Sequence, residues 1–134
     1  MSWFPPKPTD EAIAEIRLRS PQGVVEIGAG SGHWGEVIQR AGIPWVGYDI
    51  FPRGPLVAQG DHLTAARHSA LTMLAVGPPD GGWVQRWIDA YRGDTMMICA
   101  HHMRLNYGRA LDGWREISSG VYLPDSVLKT FGRA

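Results

Sequence analysis

The stretch Val24-Val25-Glu26-Ile27-Gly28-Ala29-Gly30-Ser31-Gly32 constrains this chain more than any other. It reads as a short buried strand running into a glycine-rich turn. Residues 33 to 40 follow with helical spacing, Trp34, Val37, Ile38 and Ala41 falling on one face. A strand, turn and helix in this order bring a ligand against bare backbone. Each glycine removes a Cβ and permits positive φ, so the turn can pass close to a bound group. The N–H groups that open the helix favour an anion nearby. A nucleotide-like cofactor is the natural guest.

Two kinds of site use such a unit. The dinucleotide fingerprint is G-x-G-x-x-G, whereas the glycines here are Gly28, Gly30 and Gly32, with Glu26 two residues ahead of the first. This spacing resembles motif I of the class I S-adenosylmethionine-dependent methyltransferases. A second acid, Asp49, ends the apolar run Pro44-Trp45-Val46-Gly47-Tyr48. It lies about twenty residues past the first glycine, where Rossmann-like sites place the carboxylate that binds the ribose hydroxyls. Two carboxylates beside one turn suit a cationic sulfonium and amine better than a pyrophosphate.

The resemblance covers residues 23 to about 102. It implies a three-layer αβα Rossmann-like α/β fold with a mostly parallel sheet and an antiparallel C-terminal hairpin. It implies S-adenosylmethionine as cofactor, with Glu26 near the methionyl amine and Gly28, Gly30 and Gly32 against the methionyl and ribose portion. Asp49 would hold the ribose hydroxyls. Ile50, next after the acid, is a candidate for the adenine face, or it packs in the core. Gly60-Asp61 resembles the motif whose acid accepts a hydrogen bond from the adenine amino group. Asp61 equally suits the cap of a helix over residues 62 to 68.

The remaining elements follow from pattern. Thr9 or Asp10 can cap a helix from Glu11 to about Arg19, with Ala12, Ile13 and Ile16 as its apolar face. Residues 51 to 60 are too short and too rich in Pro and Gly for the usual helix between the second and third strands, and Leu56 to Gln59 reads as a short strand. Leu71 to Val76 is continuously apolar, as a strand covered on both faces should be. It ends at Gly77-Pro78-Pro79-Asp80, residues that should face the transferred methyl group. The two prolines are similar to motif IV of the amino-group methyltransferases, with Gly77 replacing its polar residue and Asp80 its aromatic. They also suffice simply to turn the chain into a helix from Trp83 to Tyr91. A fifth strand, Thr95 to Ala100, delivers His101-His102 to the crevice side.

Asp80 and His101 are therefore the candidates for acceptor contact, His101 as a base of near-neutral pKa or as a structural residue. Beyond them, Trp114 to Ile117 and Gly120 to Leu123 suggest a two-stranded unit, and Pro124-Asp125-Ser126 the start of a last helix through Phe131. The histidines lack zinc-site spacing, so no metal is expected.

Composition narrows the rest. Thirteen Lys plus Arg balance thirteen Asp plus Glu, leaving no long-range field to steer the protein to nucleic acid or an anionic membrane. A small-molecule or protein methyl acceptor is expected over a nucleic acid, with a partner chain or homodimer an open possibility. At 134 residues a single domain over residues 1 to 134 is expected. No apolar stretch has the length of a membrane span or the form of a signal peptide, and Cys99 is the single cysteine, so the expected compartment is the cytoplasm. Of the six tryptophans, those at 34, 45, 83, 87 and 114 are expected to fill the core.

The activity implied is methyl transfer. A non-catalytic S-adenosylmethionine-binding or interaction module acting with a partner chain is one rival. An NAD-binding oxidoreductase is the other.

Overall fold

The computed structural model describes residues 6 to 78, 82 to 101, 111 to 118 and 120 to 134. Its frame is one eight-stranded sheet in the order β3-β2-β1-β4-β5-β8-β6, with β7 also paired to β8. The strands are β1 (Val24–Ile27), β2 (Trp45–Asp49), β3 (Val57–Gln59), β4 (Thr72–Val76), β5 (Thr95–His101), β6 (Trp114–Glu116), β7 (Val121–Leu123) and β8 (Ser126–Arg133). The first five are parallel, and β8 runs antiparallel to β5.

Period-two alternation sorts the core into two layers. Val24, Leu74, Val76, Met97, Cys99 and Leu128 point to one face, where they meet α1 (Asp10–Arg19) and α2 (His33–Arg40) through Ile16, Trp34 and Ile38. Val25, Ile27, Met73, Ala75, Met96, Ile98 and Phe131 point to the other, against α3 (His62–Ala65) and α4 (Gly82–Ala90). All of β1 and β4 is buried, which explains why these strands are apolar but for Glu26 and Thr72. This is the three-layer αβα arrangement expected. No helix among the described residues is long and apolar enough to cross a membrane.

The helix ends follow local chemistry. Thr9 caps α1, its hydroxyl accepting from Ala12 N–H at 3.2 Å, and Asp10 and Glu11 occupy the first turn. That placement favours the helix macrodipole. Gly42, at φ 82°, closes α2 as the C′ residue. The helix expected over residues 62 to 68 is shorter, ending at Ala65.

Two expectations for the C-terminal region are corrected. The helix expected to start at Pro124-Asp125-Ser126 and run through Phe131 is instead a turn followed by the long strand β8. Pro124 and Asp125 form a two-residue turn, with Asp125 at φ 59° and Leu123 paired to Ser126. Strand β5 offers a full edge along which Val127, Leu128, Thr130 and Phe131 become buried, so tertiary pairing overrides any local helix preference. The second correction concerns the two-stranded unit of residues 114 to 123. Strands β6 and β7 each pair with β8, and not with each other. Both lie along β8, and between them the Ser118 hydroxyl accepts from Thr130 N–H at 3.3 Å and Gly120 N–H at 3.4 Å.

One packing detail carries a prediction. A Cβ at Gly35, inside α2, would lie 2.4 Å from Trp45 ring carbons. Gly35→Ala improves helix propensity by about 1 kcal/mol but overpacks a ring that is held in place, at about 1 to 3 kcal/mol. The variant is expected to unfold at lower urea than the parent. A midpoint that stays or rises would mean that the ring has room to move.

Candidate functional site

The glycine turn is built as the motif requires. Gly28, Gly30 and Gly32 have φ of 69°, 59° and 83°, a region open to glycine and costly for other residues. The turn is latched to β2. Gly28 and Ala29 N–H donate to Tyr48 O at 2.9 and 3.0 Å, and Gly32 N–H donates to Ala29 O at 2.9 Å. Gly30 N–H donates to the Asp49 carboxylate at 2.9 Å. These amides point into the protein's own hydrogen bonds, so the turn itself offers few donors to a pyrophosphate.

Asp49 links two segments. Its second oxygen accepts from Phe51 N–H at 2.9 Å, and Arg53 N–H donates to Gly30 O at 2.9 Å. The loop after β2 is thus laid against the glycine turn in place of a helix. Gly54 permits the contact, since a Cβ there would meet Ser31 O at 2.3 Å.

A cleft of about 250 Å³ opens at the carboxyl ends of β1 to β4, where the strand order reverses between β1 and β4. Open α/β sheets bind ligands at such a switch point. Ile27 and Gly28 come from β1 and its turn, Asp49, Ile50 and Phe51 from β2 and its loop, and Gly60 and Asp61 from the end of β3. Val76 and Gly77 close the β4 side, while Trp83 and Trp87 of α4 form the wall. The lining is mainly apolar with a few polar groups, the usual character of a small-molecule site.

Of the residues singled out from sequence, Gly28, Asp49, Ile50 and Asp61 meet in this cleft. Gly30 and Gly32 shape the turn beside it. Ile50 is 47% exposed, so it is not an ordinary core residue. Asp61 is also the N-cap of α3, accepting from Leu63 and Thr64 N–H at 3.0 and 3.1 Å. The Thr64 N–H is the main cause that holds its pKa below the usual aspartate value.

Glu26 departs from expectation in its charge. It lies on the α1 and α2 side of the sheet, 3% exposed, and accepts from Trp45 Nε1 at 3.0 Å. Burial pushes its pKa up to about 8; the Trp45 bond pulls the other way, and Asp49 adds to the rise. Near neutrality the carboxyl holds its proton. The pair of negative charges expected around the turn is therefore a neutral acid and the Asp49 carboxylate.

His101 ends β5, half-buried and opposite Ser126 of β8, and does not line the cleft. Asp80 and His102 lie outside the described residues. Sequence reasoning missed Phe51, Trp83 and Trp87 as cleft residues. Trp83, expected in the core, is 42% exposed on the cleft wall. The four-residue spacing of Trp83 and Trp87 on one helix was the available signal, but core and cleft faces of such a helix look alike in sequence.

No protein-family model matches the sequence. No curated protein matches it. Solved structures do. A magnesium protoporphyrin IX methyltransferase from Synechocystis PCC 6803, with bound S-adenosylmethionine, is 13% identical, with a TM-score of 0.64 over 93% of this chain and 77% of that one. A putative methyltransferase, yhhF from Escherichia coli, is 10% identical with a TM-score of 0.62 over 97% and 90% of the two chains. A variant of MtNAS in complex with S-adenosylmethionine is 13% identical with a TM-score of 0.72 over 92% of this chain. This chain spans 59% of MtNAS. Strand order, glycine turn and these likenesses agree that the chain has the class I S-adenosylmethionine-dependent methyltransferase fold.

Proposed function

We propose that this chain binds S-adenosylmethionine in the cleft and is a methyltransferase acting on a small-molecule or protein acceptor. The observation that carries the reading is the Asp49 carboxylate, held at the end of β2 between the Gly30 and Phe51 amides and facing an apolar cleft. In this reading its remaining lone pairs take the ribose hydroxyls. Ile50, Phe51 and the α4 tryptophans enclose the adenine, and Asp61 accepts from its amino group. A cleft of about 250 Å³ suits the adenosyl part, with the amino-acid end passing along the glycine turn towards Glu26. The residues present fit this cofactor.

The bound cofactor supplies a methyl group already activated by its sulfonium. The chain's share is to hold and orient the reacting atoms and to exclude water, which can lower a barrier by several kcal/mol without an obligatory catalytic side chain. Asp80 and His101 are the proposed acceptor contacts.

Calorimetric titration with S-adenosylmethionine, S-adenosylhomocysteine and NAD tests the reading. Micromolar binding of the first two, and none of NAD, is expected. NAD bound in preference to both would make the chain an oxidoreductase instead. Binding without methyl transfer to any acceptor would favour the non-catalytic module.

A further inference from the structure

The indole of Trp45 occupies a slot that two glycines keep open. Gly47 lies two residues further along β2 on the same face, and a Cβ there would be 2.3 Å from the ring. Gly35 covers the ring from α2, where a Cβ would be 2.4 Å away. Both are interior positions, one in a strand and one in a helix, where glycine is unfavourable relative to alanine. A leucine or isoleucine at position 45 would fill an apolar gap without needing both. What the slot secures is the direction of the ring, whose Nε1–H reaches Glu26 Oε1 at 3.0 Å. The geometry is set on adjacent strands, since Glu26 is the register partner of Gly47. The same ring approaches the turn, with Cη2 3.9 Å from a Cβ built at Gly32.

We propose that Trp45 is a positioning residue of the cofactor site, its indole N–H fixing the Glu26 carboxyl in the conformation that reads the amino-acid end of S-adenosylmethionine. This rests on the cofactor reading given above. Glu26 is 3% exposed, beside the turn and outside the lining of the cleft that takes the adenosyl part, and a buried carboxyl needs a donor. The Trp45 N–H supplies one at 3.0 Å. Trp45 itself touches no cofactor atom in this scheme and acts through Glu26.

Two ligands separate this role from core filling. S-adenosylhomocysteine carries the amino-acid end, whereas methylthioadenosine has the same adenosine thioether without it. Both are titrated calorimetrically into the parent, Trp45→Phe and Glu26→Gln. Phenylalanine keeps an aromatic ring but loses the donor and the ring carbons that lie between Gly35 and Gly47, so methylthioadenosine is the control for repacking. Trp45→Phe is expected to weaken S-adenosylhomocysteine about tenfold or more, in line with loss of one buried polar contact, while methylthioadenosine changes less than about twofold. Glu26→Gln, which leaves the indole seated, should show the same selective loss, and Trp45→Leu, which also removes the donor, serves if Trp45→Phe does not fold. Equal weakening of both ligands, or no change in either, overturns the proposal and makes Trp45 a core residue only. If the parent binds neither ligand, the cofactor reading fails and the proposal falls with it.

Discussion

Replacing Asp49 by alanine is expected to weaken S-adenosylhomocysteine binding by about 1 to 3 kcal/mol, roughly five- to 150-fold, if a buried ribose hydrogen bond is lost. The structure adds a second route to the same loss. The carboxylate also holds the Gly30 and Phe51 amides, so its removal loosens both the glycine turn and the loop that lies against it. The two routes differ in a measurable way. Loss of the ribose contact alone leaves the melting temperature nearly unchanged, whereas loss of the latch lowers it in the absence of ligand as well. Calorimetry on Asp49→Ala, with a thermal melt of the free protein, reads both. Unchanged affinity would remove Asp49 from the binding site and take the cofactor reading's main support with it.

The second large effect belongs to Glu26 and to pH. In the unfolded chain its carboxyl ionises near its ordinary value of 4.5, while burial in the folded protein raises that value to about 8. Between these pH values the folded state binds more protons than the unfolded state. Stability contributed by the neutral acid is thus fully present below about 4.5 and is lost as pH rises through about 8. Over that window the loss is on the order of a few kcal/mol.

Glu26→Gln removes the titration and keeps a side-chain oxygen for the Trp45 N–H. Its stability relative to the parent should therefore climb from pH 4.5 to pH 8, reaching on the order of 10 °C in melting temperature. Melting curves of both proteins across this range check it, since all other titrations are common to the two. Parallel curves would show that Glu26 ionises inside the folded protein as it does in water. The same substitution is expected to reduce S-adenosylhomocysteine affinity, so stability and binding should move in opposite directions at this one residue.

Much of the frame was legible because its determinants are local. The β1 strand, the turn and α2 could be read from an apolar run, three glycines at positions of positive φ, and a helical face containing Trp34 and Ile38. Asp49 could be located because a parallel strand beside β1 must return after one helix, which places its end at a nearly constant distance along the chain. The short loop after it was also visible, since Pro and Gly leave no helix to form. Asp61 was readable only as two alternatives, and it does cap α3 while also lining the cleft.

What the tertiary structure decided depends on partners distant in sequence. Residues 126 to 131 form a strand because β5 presents an open edge to them, a fact absent from their own pattern. Trp83 faces the cleft instead of the core because α4 is set against the ends of β1 and β4, not because its spacing differs from that of a core helix. Glu26 was identified by its place before the glycines, and read as a charge. Its charge state follows from burial on the α1 and α2 side of the sheet, which outweighs the opposing pull of the Trp45 indole. Spacing along a chain determines which residues reach the site; the dielectric and the hydrogen-bond partners that surround them, which set their chemistry, exist only once the layers have packed.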